Sequence, residues 1–401
     1  MSDRRLKSAS PTATPLPRVL KPRRAAPTDA VRPTRAEVSL EALRHNLRAL
    51  RRITPSPIYS VLKADAYGHG AKAVARTLER AGVNGVCVAL LEEAIELREA
   101  GIQCPLLVMG GYYGQAWSEV LHHELTPVIY DLSQLEALAK EAGQAEHPEW
   151  SIHLKVDTGM ARLGISAAEF PRAVELLRAH PELKLQGFMT HFACADSSAE
   201  SIDEQLNRFD EMTGTLLRNG LKPALRHAAN SAALARSPRA HLDLVRPGIA
   251  LFGVEPMPNT ELNLKPVMRV SSQVIALRTL QPGQSVGYGA TWKAQRPSVI
   301  ATVPIGYADG LSRSASNNGS LLIRGKRAPI VGAVSMDLTT IDVTDIAGAR
   351  VTDEVVALGK QKGPLGEDTL TAQEIATREN TIPWEVLTNV SRRVPRFYRE
   401  S

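Results

Sequence analysis

No run of 18 apolar residues occurs anywhere in the 401-residue sequence, so no segment reads as a membrane-spanning helix. Cysteine is scarce. Cys87, Cys104 and Cys194 are odd in number and far apart, which argues against a disulfide framework and fits a reducing compartment. No Cys-x-x-Cys pair and no His-Glu-x-x-His motif occurs, so the common zinc patterns are missing and no metal is expected. Acidic residues are sparse at one end only. Residues 1–35 hold nine Lys or Arg against Asp3 and Asp29, a net of +7 in a chain whose total is +6. The rest of the chain is therefore close to neutral, and neither nucleic acid nor a membrane is an expected partner. With 43% hydrophobic and 22% charged residues, the composition is that of a globular protein long enough for a large barrel and a companion domain.

Residues 1–33 contain six prolines and no apolar period. Such a segment buries too little surface to offset its ordering entropy and reads as a disordered basic tail. Arg4-Arg5 hints at twin-arginine export, but the apolar run that export requires does not follow, so a cytoplasmic location is expected.

Beyond the tail, eight short apolar runs recur: 58–63, 85–90, 105–110, 125–130, 151–157, 183–191, 224–231 and 244–251. Helix-patterned stretches such as AKAVARTLERAG (71–82) and LEEAIELREAG (91–101) separate most of them. Alternation of buried strands and amphipathic helices predicts a parallel α/β sheet, and eight units predict a closed (β/α)₈ barrel over residues 34–267. A doubly wound open sheet is the competing topology. After residue 268 the texture turns to Val, Ile and Thr with Gly, Pro and Asn turns, which predicts a mostly β domain over 268–401. The lone strand at 34–40 is expected to join that domain.

Barrel chemistry gathers at the C-terminal ends of strands. Lys63 closes the first run, where desolvation would make its amine nucleophilic; a strand-capping surface lysine is the plainer reading. The fifth run carries Lys155, with Arg162 in a glycine-bearing loop just beyond. Arginine there suits bidentate binding of a carboxylate, while a buried Lys155 needs an anion, a nearby carboxylate or a covalent change. By period two, Lys155 shares a face with His153 and Asp157. His191 ends the sixth run, either as a ring-stacking or relay residue or as a satisfied core histidine. Ser231, Gly248 and Ile249 follow the seventh and eighth runs, where barrels often hold phosphate on helix N-termini. Arg246 lies in the eighth. In the β region Tyr288 sits between Gly287 and Gly289, and Tyr307 and the Ser335-Met336-Asp337 segment occupy two further unusual loops.

The segments VLKADAYGHG, KVDTGMARLG, THFACAD, HAANSAA, VRPGIALFG, VGYGATW, PIGYADG and SMD, in that order, resemble the alanine racemases among the barrel-type pyridoxal 5'-phosphate (PLP) enzymes. The likeness runs from about residue 34 to 398. It implies a PLP-dependent isomerase that interconverts L- and D-alanine for peptidoglycan synthesis, working as a homodimer with shared sites. It implies that Lys63 holds PLP as a Schiff base and serves the D-substrate proton, while Tyr288 of the other subunit serves the L-substrate proton. Two bases on opposite faces are what racemisation requires. By the same resemblance, Tyr67, Ser231, Gly248 and Ile249 hold the phosphate, and Arg246 faces the pyridine nitrogen with His191 in its network. Arg162 and the Met336 N–H take the substrate carboxylate. Lys155 matches a lysine that is N-carboxylated in some members, Tyr307 matches a gate position, and Asp337 is a further supporting residue of the site.

Three positions depart from relatives. Arg392 stands where some carry a gate tyrosine, Ser335 where several have cysteine, and Ala161 where many have glycine. Arg392 bears on the width of the entrance, so a broader amino-acid racemase of the same family is the nearest competing function. A non-catalytic PLP carrier is a more distant one, since such proteins resemble the barrel alone.

Overall fold

The computed structural model describes residues 31–114, 116–142 and 149–400. The Arg4-Arg5 pair and the rest of the tail to residue 30 lie outside them. Strand β1 (Arg35–Ser39) leads into a helix over Leu40–Ile53, whose first turn is fixed by the Ser39 side chain accepting from the Ala42 N–H. Seven parallel strands follow: β2 (Tyr59–Val61), β3 (Gly85–Val88), β4 (Leu106–Val108), β5 (Thr126–Ile129), β6 (Trp150–Lys155), β7 (Leu183–Met189) and β8 (Leu225–His227). They pair in chain order. Helices between most of them cover the outer face, so β3, β4 and most of β6 are buried on both sides.

The expected eighth strand is not a strand. Residues 244–245 make two single bridges, Leu244 to His227 and Val245 to Ile58, which close the curled sheet. The Tyr59 N–H donates to the Val245 carbonyl and the Val61 N–H to the Pro247 carbonyl, both at 2.9 Å. Pro247 has no N–H to return, and Ile249–Phe252 winds into a 3₁₀ turn, so a ladder cannot continue.

Strand β9 (Met268–Gln273) opens a mostly β region. Its larger sheet runs Lys326–Pro329, Ser320–Ile323, Glu354–Gly363, β9, β1, Arg396–Arg399. β1 thus lies between β9, antiparallel, and the last strand of the chain, parallel. Just before β1, Arg32 forks onto Asp309 at 2.7 and 3.0 Å, and Arg393 reaches the same carboxylate at 2.9 Å. The end of the basic segment is therefore anchored, because Asp309 has a fully buried side chain that requires charge partners. No helix of the described residues is long and apolar enough to cross a membrane.

Candidate active site

Lys63 does not end a strand. β2 stops at Val61, and Lys63 opens a turn in which Ala64, Asp65, Ala66 and Tyr67 all have φ between 52° and 55°. Left-handed conformations cost about 1–2 kcal/mol per residue outside glycine, so four in succession persist only when their surroundings impose them. The Ala66 N–H reaches the Leu62 carbonyl at 2.8 Å, and the Gly68 N–H reaches that of Ala64 at 2.9 Å. The Ala64 N–H donates to Glu93 and the Ala71 N–H to Asp65. The result places Lys63 at the mouth of the ring and turns the Tyr67 ring inward, where it is buried 5.0 Å from Phe252.

Arg246 is buried within the ring and makes no ion pair among the described residues. It donates to the Thr190 and Ala228 carbonyls at 3.0 and 3.1 Å, to His191 Nδ1 at 3.4 Å, and to His227 Nδ1. His227 Nε2 lies 2.8 Å from His153 Nδ1. Arginine has no acceptor, so the contact makes His227 Nδ1 an acceptor. His227 then carries its proton on Nε2 and donates to His153. Burial and the Arg246 charge hold His153 down to about 3 and push His191 and His227 well below the ordinary imidazole range. All three are neutral acceptors or relays at pH 7. Burial lowers Arg246 itself to about 10.

Lys155 ends β6, buried, on the inward face with His153. No ion pair to it occurs among the described residues; desolvation, then Arg162 and Arg246, lower it to about 8 against a weak opposing pull from Asp157. Lys63 keeps an accessible surface, yet neighbouring atoms displace enough water to lower its pKa, helped by Arg162 and opposed by Glu93. Arg162 projects from an exposed loop in which Ala161 sits at φ 55°, a conformation that favours glycine. Lys63, Lys155, Arg162 and Arg246 therefore make one electropositive basin, suited to an anion.

At its edge, Ser231 opens the helix Ser231–Arg236, and its Oγ accepts from the Gly248 N–H at 2.9 Å and the Ala250 N–H at 3.4 Å. A Cβ on Gly248 would lie 2.3 Å from the Tyr67 hydroxyl. Tyr67, Ser231, Gly248 and Ile249 thus converge. A phosphate fits this cradle, where the Ser231 and Tyr67 hydroxyls meet the turn at Gly248 and Ile249 just after Arg246, and the amine of Lys63 at the mouth suits the aldehyde of PLP.

The remaining predicted residues are elsewhere. Tyr288 is 75% exposed on a turn with Gly287 and Gly289 at φ 77° and 73°. The Tyr307 N–H binds the Ser335 carbonyl and the Ala308 N–H that of Met336, both at 3.0 Å, which joins the two loops. Met336 and Tyr307 are exposed as well. Asp337 pairs with Arg393 at 2.5 Å. Among the described residues, no hydrogen bond or ion pair connects this outward-facing group to Lys63. Arg392 lies 3.8 Å from Asp65, at the edge of the Lys63 turn.

Sequence reasoning did not single out His227 as a site residue and used His153 only to mark the face of Lys155. Both stand on inward-facing strand positions, which period two could have flagged.

The family model for the alanine racemase N-terminal domain matches residues 38–256, and that for the alanine racemase C-terminal domain matches 267–398. The alanine racemase of Sorangium cellulosum is 58% identical over 378 residues, covering 92% of this chain and all of that one. The alanine racemase of Streptomyces lavendulae superposes with a TM-score of 0.87 at 34% identity, covering 93% of this chain and 98% of that one. The Bartonella henselae enzyme, solved with covalently bound pyridoxal phosphate, superposes at 0.83 with 31% identity, over 91% and 99%.

Proposed function

Because this chain belongs to the alanine racemase family, with its two domain models matched in order, we propose how its own residues divide the work of the reaction. It is a PLP-dependent isomerase that interconverts L- and D-alanine. PLP supplies the electron sink that makes the alanine Cα proton removable.

Lys63 holds the cofactor and exchanges the Cα proton on one face; the Tyr288 hydroxyl of a second copy exchanges it on the other. The observation that carries this reading is the basin of Lys63, Lys155, Arg162 and Arg246, which is cationic and, among the described residues, holds no ion-paired carboxylate. Tyr67, Ser231, Gly248 and Ile249 take the phosphate. Arg246 would donate to the pyridine nitrogen without protonating it, because guanidinium keeps its proton, and would so favour racemisation over side reactions. His191, in the Arg246 network, would flank the cofactor. Arg162 and the Met336 N–H of the second copy bind the substrate carboxylate, with Tyr307 and Asp337 shaping that side. N-carboxylation of Lys155 would turn its repulsion of Arg162 into two acceptors that orient the guanidinium. The domains divide at 34–267 and 268–401, with β1 assigned to the second. Outward presentation of Tyr288, Tyr307 and Met336 supports a homodimer with shared sites. We place the enzyme in the cytoplasm, supplying D-alanine for peptidoglycan.

A racemisation assay over a panel of amino acids, with and without added PLP, tests the assignment. Activity on alanine that requires PLP is expected. Equal turnover of larger side chains would favour the broad-specificity reading, which Arg392 at the entrance supports.

A further inference from the structure

We propose that Arg396 and His69 are positioning residues for Lys63 and Tyr67: together they impose the left-handed turn from the far domain and from within. The proposal rests on the assignment of Lys63 and Tyr67 to PLP.

Three observations carry it. Arg396, in the last strand of the chain, donates through Nε to the Gly68 carbonyl at 2.9 Å. Its other N–H groups hold the carbonyls of Val390, Ser391 and Val394. Arg396 makes no ion pair among the described residues, so its fork is spent on four carbonyls, and one of them belongs to the turn. Second, the turn is pressed against the same C-terminal segment at two glycines. A Cβ on Gly68 would lie 2.4 Å from the Leu387 carbonyl, and one on Gly70 would lie 1.9 Å from the Tyr398 hydroxyl. Third, His69 is fully buried, with its ring stacked on Phe252 at 4.4 Å. Its Nδ1 is 3.0 Å from the Ala66 carbonyl and 2.9 Å from that of Tyr67. Nδ1 is therefore the donor and Nε2 a bare acceptor, and Nε2 has no partner. A histidine kept at the cost of an unpartnered nitrogen is explained by what its other nitrogen does. Here that is to fasten two carbonyls of a turn whose backbone is unfavourable.

Ala64 and Ala66 have no preference for the left-handed region, and aspartate visits it only as a single residue, so nothing local sustains a run of four. Without the clasp the segment relaxes, and Lys63 and Tyr67, at opposite ends of it, lose their relative placement.

The test uses the full-length PLP-loaded protein and its Arg396→Met, Arg396→Lys and His69→Phe variants. Three quantities are read: the PLP dissociation constant, amide hydrogen exchange in the 62–70 peptide, and exchange in the β7 peptide 183–189. Phenylalanine keeps the stacking of His69 and removes the orphan nitrogen, so a purely structural role predicts wild-type or better stability with unchanged PLP binding. We expect Arg396→Met and His69→Phe each to weaken PLP binding about tenfold or more and to speed exchange in 62–70 but not in 183–189. Arg396→Lys, which keeps the charge and an N–H donor group but not the planar fork, should recover part of the loss. Dissociation constants within about twofold of wild type in either variant overturn the role of that residue. Equal acceleration in both peptides overturns the positioning role in favour of general stability. If Arg396→Met does not fold, Arg396→Lys and His69→Phe carry the same criteria. Lys63→Ala, tested for borohydride-fixed PLP, separately tests the assignment on which the proposal rests.

Discussion

His153 Nδ1 and His227 Nε2 lie 2.8 Å apart in the buried interior of the ring, and the other side of His227 is occupied by Arg246. The pair works only while both imidazoles are neutral, because a proton on either acceptor nitrogen would face a donor.

That requirement sets an acid limit. His69 at about 4, His153 at about 3, and His191 and His227, both well below 6.5, all bind fewer protons folded than unfolded. Stability is therefore complete above the unfolded value near 6.5 and is lost as pH falls toward the folded values. Urea midpoints should drop steadily from pH 7 to 5, each histidine contributing up to about 1.4 kcal/mol per pH unit. A flat profile across that range contradicts neutral burial.

Lys155 has the opposite accessible window. Lowered from 10.5 to about 8, it binds fewer protons folded than unfolded between those values, so its destabilising effect is full below pH 8 and fades as pH rises. In bicarbonate-free buffer, Lys155→Met should be more stable than wild type at pH 7 by up to about 3 kcal/mol. The gap should narrow by pH 9, and the variant should show a raised KM for alanine with Arg162 left unoriented. Wild-type protein in bicarbonate should gain stability toward the variant if the amine is N-carboxylated. An unmodified mass at residue 155 under bicarbonate with full activity rules that modification out.

The division of bases between copies has its own test. Lys63→Ala and Tyr288→Ala chains should each be inactive as pure dimers. Mixed at equal amounts, they should recover roughly a quarter of wild-type activity, because half the dimers are mixed and each holds one complete site. No recovery after demonstrated subunit exchange would count against the shared site.

Gly248→Ala places a methyl 2.3 Å from the Tyr67 hydroxyl. Overpacking of this kind costs about 1–3 kcal/mol, so the thermal midpoint should fall and PLP binding weaken. Gly248→Ala combined with Tyr67→Phe should regain much of the thermal midpoint but not the PLP affinity. If the double variant melts like the single one, the hydroxyl is not the obstacle.

Deleting residues 1–30 should leave folding and racemisation unchanged, since the Arg32–Asp309 fork is retained. Arg32→Ala should cost about 1–2 kcal/mol, with Arg393 and the Gly306 N–H left to satisfy the buried Asp309. A deletion more damaging than Arg32→Ala would give the removed residues a structural part.

The layered pattern was readable because buried parallel strands leave continuous apolar runs and surface helices leave periodic ones. Seven of the eight runs contain strands of the curled sheet. The eighth, LVRPGIAL, is equally apolar, but hydropathy does not register that Pro247 lacks a donor. Lys63 stands out from its motif, yet the left-handed path of Ala64–Tyr67 is hidden, because alanine carries no signal for it and aspartate visits that region only as a single residue. The convergence of Tyr67 with Gly248, and the reach of Arg396 to Gly68, join residues far apart in the chain, so only tertiary structure reveals them.

The placement of β1 imposes a schedule on synthesis. Its two neighbours in the sheet are β9, which pairs Val270 with Ala36, and the terminal strand, which pairs Arg396 with the same residue. The ribosome makes β9 roughly 230 residues after β1, a delay of roughly 10–50 s at ordinary elongation rates. The nascent chain therefore spends that interval with an open strand edge at its leading end while the ring assembles behind it. β1 itself is flanked on both sides only once residues 396–399 have emerged, so a ribosome that stalls before them leaves β1 as an unprotected, aggregation-prone edge of the β region.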